Sequence, residues 1–382
     1  MQALLFANMD VIAGFFLLCM AGYAAFLFRA AWFFLRIGPC PALSSPPFVS
    51  IIIPARNESL RVEACLRAVL SQDYPQDRFE VILVNDHSTD ETGAIARRLA
   101  AQSTVLRVLD LQTEQINSYK KAAISAGIIQ ARGEIILQTD ADCVMGPHWL
   151  SAMTACFSPG VALVSGPLEI VHTQNLFSRF QSLESMGLVI IGAGSLAAGR
   201  PNMCNGANLA YRKKAFEEVG GFSGVDAIAS GDDELLLQKL NARKIYQLRF
   251  AKSPEAIVRT QAMETWTAFK NQRLRWVSKA RFYPNRWVNL AQAQAYLAFL
   301  GIPVLAVFAG FDPSFLSVLA AGLLLKLVAD FSILYQAAGF FHNLRLLHYF
   351  LPLQPLYLLY VLWIGIAGNL VSTYTWKGRS VK

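Results

Sequence analysis

The sequence predicts an α/β protein, a mainly parallel Rossmann-like sheet held between apolar flanks that cross a membrane. Three observations predict it. Short apolar runs alternate with helical periodicities between Val49 and Gln138. Carboxylate-bearing clusters follow the strand candidates, at the edge where open α/β sheets bind ligands. Charge is unevenly spread along 382 residues that are 54% hydrophobic with a net charge of +8. Residues 1–47 carry only Asp10, Arg29 and Arg36, and residues 287–382 only Asp312, Lys326, Asp330, Arg345, Lys377, Arg379 and Lys382. The stretch between them has an ordinary globular charge density. A disordered, fibrous or disulfide-built protein is excluded.

The chain divides on this basis into an N-terminal anchor and linker (1–47), an α/β domain (48–286) and C-terminal membrane helices (287–382). Val11 to Phe28 is uncharged and long enough to span. No Lys or Arg precedes it while Arg29 and Arg36 follow, which places the next segment in the cytosol. The basic start and small-residue exit of a cleavable signal are missing. Pro39 to Pro47 reads as a linker.

Val49–Pro54 is a buried-strand run and Glu58–Ser71 has helical periodicity. Phe79–Val84 is a second strand, followed by a helix over Glu91–Ala101 with Asp90 as its N-cap. Val105–Leu111 is a third strand, Lys121–Gln130 a helix, and Glu134–Gln138 a fourth strand running into Asp140 and Asp142. Parallel strands so connected require right-handed crossovers.

Three apolar segments follow the domain: Trp287–Phe311, Pro313–Phe341 and Leu346–Trp376. Lys326 and Asp330, four apart, share a helix face and are expected to pair. Three full spans would put Lys377, Arg379 and Lys382 outside, against the charge rule, so either one C-terminal segment is interfacial or re-entrant or these distal charges do not govern topology. Lys279, Arg281 and Arg286 read as headgroup contacts. The six cysteines, Cys19, Cys40, Cys65, Cys143, Cys156 and Cys204, lack C-x-x-C spacing and are expected to be reduced. No basic run interleaves with aromatics, so nucleic acid is not an expected partner.

The polar clusters carry chemistry. Asp86 at a strand end can accept the N–H of a base edge, uracil N3–H being the simplest fit, and Lys121 can meet a phosphate. Asp140 and Asp142 offer two hard oxygen ligands to Mn²⁺ or Mg²⁺, ions that usually also take substrate phosphates. Singly these signals are weak; their order is what carries weight.

Pro54-x-x-Asn57-Glu58, Asp86-x-Ser88-x-Asp90 and Asp140-Ala-Asp142 occur in that order. Gly206-Ala-Asn208-Leu-Ala-Tyr211-Arg212 with Gly220-Gly221-Phe222, then Gly231-Asp232-Asp233, then Gln272-Arg273-Leu-Arg275-Trp276 come after them. With these motifs the chain resembles the GT-A-fold glycosyltransferases of family 2, over about residues 50–280. The last motif resembles the Q-x-x-R-W signature of cellulose, chitin and hyaluronan synthases, found in similar form in lipid glycosyltransferases such as ceramide glucosyltransferase. The resemblance implies a donor site of Pro54, Ala55, Arg56, Glu58, Asp86, Lys121 and Asp140, with Asp142 and Asp140 at a metal. It implies Asp233 as general base beside Asp232, and Gln272, Arg273, Arg275 and Trp276 at the acceptor and diphosphate. Met263 stands where such sequences usually carry Pro, Val-Ser-Lys follows Trp276, and Ser125 replaces a common Asn, departures that weaken a processive reading.

The expected function is inverting transfer from a UDP-sugar to a lipid or short glycan at the cytosolic face of the inner membrane, in a multi-pass protein. The alternatives are a processive polysaccharide synthase and a non-catalytic nucleotide-sugar-sensing subunit. Too few spans and too large a domain disfavour a transporter. Oligomeric state is not legible.

Overall fold

A computed structural model describes the chain except residues 1, 42–44, 113–118, 229, 280–285, 371–373, 377–378 and 382. The helix α1 (Gln2–Leu35) precedes a seven-stranded sheet. Its strands are β1 (Val49–Ala55), β2 (Phe79–Asn85), β3 (Leu106–Asp110), β4 (Ile135–Gln138), β6 (Val161–Ser165), β8 (Leu209–Arg212) and β9 (Gln247–Phe250), in the order β3-β2-β1-β4-β8-β6-β9. Only β8 runs antiparallel, against β4 and β6, so the sheet is mainly parallel. A smaller sheet joins β5 (Val144–Met145), β10 (Val258–Gln261) and β7 (Leu168–Val171).

The central strands are continuous apolar runs because both faces are covered. From β1, Val49, Ile51 and Ile53 enter one core with Cys65, Leu66 and Val69 of α2 (Val62–Leu70) and Trp149 of α5 (Trp149–Thr154). Ile52 faces the other way, into a core shared with Ala123, Ile124 and Ile128 of α4 (Tyr119–Gln130). That second core continues without a break through Ala30 and Phe34 of α1 into the later apolar helices. The crossover helix between β2 and β3 is α3 (Thr92–Ala100).

The helix α6 (Leu176–Ala197) was not legible as an element in the sequence. It packs on α1 so closely that a Cβ at Gly194 would lie 2.0 Å from the carbonyl oxygen of Ala30. Among the described residues, five helices are long and apolar enough to cross a membrane, by length and composition: Asp10–Leu35, Leu176–Ala197, Trp287–Ala309, Ser314–Phe340 and Leu344–Gly368. Of these Leu176–Ala197 is 72% buried in the protein and the others 22–28%, so α6 is an interior helix of the assembly.

The remaining helices are α7 (Lys213–Glu218), α8 (Glu234–Arg243), α9 (Trp266–Ser278), α10 (Arg286–Ala309), α11 (Ser314–Phe340) and α12 (Phe350–Leu370). The expected pair of Lys326 and Asp330 forms at 2.6 Å, and Tyr23 of α1 donates to Asp330 at 2.6 Å, tying α1 to α11. Both ends of α12 contact the α/β domain. Before it, the Tyr349 ring lies 4.3 Å from the Arg179 guanidinium; along it, Trp363 meets Trp266 of α9, and Gly368 abuts Val277. The ribbon of β11 (Tyr374–Trp376) and β12 (Arg379–Val381) then returns to the sheet edge, where Arg379 meets Asp86. The chain end therefore lies on the domain's side, the arrangement that an interfacial or re-entrant last segment requires.

The expectation of six reduced cysteines is corrected. Cys40 and Cys156 form a disulfide across 116 residues, while Cys19, Cys65, Cys143 and Cys204 are free. The linker after α1 runs back past the end of α5 and brings the two Cα atoms to 4.8 Å, a proximity no local spacing encodes.

Candidate active site

The strand ends open into one cavity of about 1250 Å³. Pro54, Ala55, Arg56 and Glu58 reach it from β1, Asp86 from β2, and Asp140 and Asp142 from β4. Asp232 and Asp233 approach at the start of α8, and Gln272, Arg273, Arg275 and Trp276 from α9.

The first wall is two laced loops. Asn57 and His87 both take left-handed backbone angles, φ 50° and 51°, strain of the kind that persists where surroundings over-determine it. The Asn57 side chain accepts from the Thr89 N–H at 2.9 Å, and the Asn57 N–H donates to the Ser88 hydroxyl at 3.1 Å. Arg56 donates to the carbonyls of Asp86 and His87 at 2.8 and 2.9 Å, so it braces the Asp86 loop. Asp90 accepts from the Thr92 N–H and hydroxyl and the Ser59 N–H, but the expected N-cap position falls to Glu91, which makes no side-chain capping bond, because α3 starts at Thr92. Burial opposes ionisation of Asp90, but its hydrogen bonds win and hold the carboxyl at about 2.

The acidic centre is built around cations. Lys120 lies 2.7 Å from Asp140 and 3.3 Å from Asp232. Its burial works against the charge, yet the two carboxylates outweigh this and raise it well above the usual lysine range. Asp232 also accepts from Gln138 at 2.7 Å. Gly231, at φ 83°, makes the turn that delivers Asp232 and Asp233. Asp233 caps α8, accepting from the Glu234 N–H at 2.7 Å and the Gly206 N–H at 2.9 Å. A Cβ at position 206 would lie 2.7 Å from an Asp232 oxygen and 3.0 Å from Gln138 Nε2, so a side chain there would displace the acidic centre. Lys279 sits 3.4 Å from Asp233 and 3.0 Å from Glu234. Burial pushes the Asp233 carboxyl up, but Lys279, Lys120 and the two amide donors bring it below the ordinary value. Glu234, buried and beside Asp233, is pushed up to about 7 despite Lys279.

Three expected placements change. Lys121 does not line the cavity; its ammonium donates to the carbonyls of Val225, Ile228 and Ser230, and burial lowers it to about 8. Lys120 occupies the acidic centre instead, because one residue along a helix turns the side chain by over a quarter of a turn. Arg273 reaches the cavity wall but spends its guanidinium on Glu184 of α6, at 3.1 Å, stacked on Phe269 and Trp276. Lys279 is buried in the acidic centre and is not a headgroup contact; Arg281 lies outside the described residues, as does the side chain of Arg286. Sequence reasoning missed Lys120, Glu234 and Lys279. Adjacency of Lys120 to Lys121 and of Glu234 to Asp233 was the available signal.

Among the described residues no three His, Cys, Asp or Glu side chains converge on a metal position. Asp140 and Asp142 nonetheless present carboxylates into the cavity from one loop, with Thr260 donating to Asp142 at 3.3 Å. That donor set fits a hard divalent cation whose remaining positions are filled by phosphate and water.

A sequence profile of Glycosyl transferase family 21 matches residues 14–382. The chain belongs to Glycosyl transferase family 21. The match supports the expected glycosyltransferase assignment, while membership of family 2 itself is not shown. Among the relatives of this family 21 chain, glycosyltransferase AglE of Haloferax volcanii is 34% identical over 211 residues, 54% of this chain and 66% of that one. Poly-beta-1,6-N-acetyl-D-glucosamine synthase of Staphylococcus epidermidis is 27% identical over 231 residues, 60% of this chain and 53% of that one. Beta-monoglucosyldiacylglycerol synthase of Nostoc sp. is 27% identical over 181 residues, 47% of this chain and 38% of that one. The chain thus spans two thirds or less of each relative's length. In overall fold it is similar to the mannosyltransferase PcManGT of Pyrobaculum calidifontis, solved with GDP-Man and Mn²⁺, at TM-score 0.58 and 20% identity, covering 94% of this chain and 99% of that one. The α/β fold is therefore of the GT-A glycosyltransferase kind.

Proposed function

We propose that this family 21 glycosyltransferase moves a sugar from a UDP-sugar to the hydroxyl of a membrane lipid, with inversion. The observation that carries the reading is the continuity of the cavity. From Asp86, Asp142 and Asp233 it runs without interruption to Leu188 and Ala193 of α6, Tyr296 of α10, and Val361 and Ile364 of α12. A polar donor end joined to an apolar end between candidate membrane helices suits an acceptor with a hydroxyl head and hydrocarbon tail.

In this reading the loops after β1 and β2 hold the uridine, with Asp86 accepting the base N–H. Asp233 takes the acceptor proton as the acceptor oxygen attacks the anomeric carbon and the bond to the diphosphate breaks. Its depressed pKa keeps it available as a base at neutral pH. Attack opposite the leaving group inverts the centre. Arg275 and Lys120 offer positive charge to the departing diphosphate. A divalent cation, Mn²⁺ or Mg²⁺, held by Asp142 and Asp140 would neutralise charge on that leaving group. Arg29 in the last part of α1 and Arg36 just after it favour a cytosolic domain on the inner membrane, a placement that would expose the Cys40–Cys156 disulfide to a reducing compartment.

The test is UDP release by the detergent-purified protein with a panel of UDP-sugars, with and without Mn²⁺ or Mg²⁺ and membrane lipid. Release stimulated by lipid and lowered about 10²–10⁴-fold in Asp233→Asn supports the reading. Release indifferent to Asp233 would remove it, and UDP binding without any release would favour the sensor subunit.

A further inference from the structure

The end of the chain covers the donor end of the site. β11 and β12 pair with Trp376 opposite Arg379, and β11 packs against α9. From β12, Arg379 donates to both oxygens of Asp86, at 3.0 and 2.9 Å, and its guanidinium carbon lies 3.4 Å from the centre of the Tyr119 ring. His87 Nδ1 adds a contact of 2.9 Å to the first of those oxygens. The Asp86 side chain retains 3% of its surface and that of Arg379 17%. A carboxylate that lines the cavity is thus closed off by one residue from the far end of the sequence.

A single guanidinium nitrogen, Arg379 Nη1, contacts both carboxylate oxygens and so occupies the acceptor edge of Asp86. A base edge approaching Asp86 competes for the same lone pairs and for the same buried space. Arg56, braced on the backbone carbonyls of the same loop, is lowered first by burial and then by the neighbouring Arg379.

We propose that Arg379 holds the place of the nucleotide base: the C-terminal ribbon gates the donor subsite, and the donor engages Asp86 only as Arg379 leaves. This rests on the reading that Asp86 contacts the base. Because the ribbon also touches α9, which lines the cavity deeper in, opening at the donor end is coupled to the helix beside the acceptor end. Arg379 is then a positioning residue that sets donor affinity without touching the reacting atoms. The apparent dissociation constant for UDP is the intrinsic one divided by the fraction of open molecules.

The experiment uses full-length protein in detergent, with UDP titrated by calorimetry and donor kinetics measured in parallel. Arg379→Ala is expected to tighten UDP and lower the donor KM by about tenfold with kcat unchanged, and Arg379→Lys to fall between. Weaker or unchanged UDP binding by Arg379→Ala, while Asp86→Ala weakens it, would overturn the gate and leave the donor site standing. Unchanged UDP affinity in Asp86→Ala would instead remove the underlying reading. Should Asp86→Ala fail to fold, amide exchange of the wild-type ribbon decides: faster exchange with UDP supports the gate, and equal or slower exchange refutes it.

Discussion

Glu234 and Lys120 show how single side chains set the chemistry of the acidic centre. The Glu234 carboxyl titrates near 7 in the folded protein because it is buried beside Asp233, against an ordinary value of 4.5. A raised carboxyl favours the folded state while protonated, so this contribution is complete below about pH 4.5 and is lost as pH rises through 7. Glu234→Gln should therefore gain thermal stability relative to wild type between pH 5 and pH 8, read as a widening difference in Tm. A constant difference across that range would contradict the assignment. Lys120→Met strands Asp140 and Asp232 without their cation, a loss of about 3–5 kcal/mol in denaturant unfolding, and should lower kcat for sugar transfer. Lys121→Met, whose ammonium holds only loop carbonyls, should cost stability with a much smaller effect on kcat. Equal kinetic losses in the two variants would mean that the helix phase has been misjudged. The identity of the aspartates was legible because they sit at strand ends in a fixed order. The choice between adjacent lysines was not, since it depends on the azimuth at which α4 docks on the sheet.

At the scale of elements, β1, β2 and β4 were legible because strands buried on both faces must be apolar throughout. The helix α6 was not, although it is the most enclosed of the apolar helices. Gln181, Ser182, Glu184 and Ser185 interrupt its apolar pattern, and Gln181 and Glu184 are tolerated because partners meet them inside. Gln181 exchanges hydrogen bonds with the Met263 backbone at 2.9 and 2.8 Å, and Glu184 takes Arg273. The Arg273–Glu184 pair ties α9 to α6 beside the contacts of Phe269 with Phe177 and Phe180, and Gln272, Arg275 and Trp276 of α9 line the cavity. Arg273→Met is expected to cost about 3–5 kcal/mol by leaving Glu184 buried and unpaired, whereas the double variant with Glu184→Gln should recover part of that loss. Absence of any coupling in the double-mutant cycle would show that the pair does not brace α9. The Cys40–Cys156 bond is a second tie, between the α1 linker and α5. It was invisible in the sequence because its partners approach only once the sheet and its flanking helices are assembled.

For the whole molecule, the decisive feature is that the same hydrophobic core serves the sheet, α1, α6 and the C-terminal helices, so the donor edge and the apolar end of the cavity are held in fixed relation. The return of α12 and its ribbon to the domain places Arg379 on the domain's side, in keeping with Arg36 after α1. A single cysteine at Ser380 and one at an exposed domain position such as Leu60 should therefore react with an impermeant thiol reagent from the same side of sealed vesicles. Labelling from opposite sides would show that α12 crosses. The apolar end of the cavity is as testable. Ile364→Trp should abolish transfer to lipid while UDP affinity stays within about twofold of wild type. Transfer that survives the bulky residue would place the acceptor elsewhere. The most direct measurement is the mass of the product made by the reconstituted protein from a UDP-sugar and total membrane lipid. A discrete lipid one sugar heavier than its parent, formed only when lipid is supplied, is the expected result. A ladder or high-mass glycan made without lipid would contradict the account and make the protein a polysaccharide synthase.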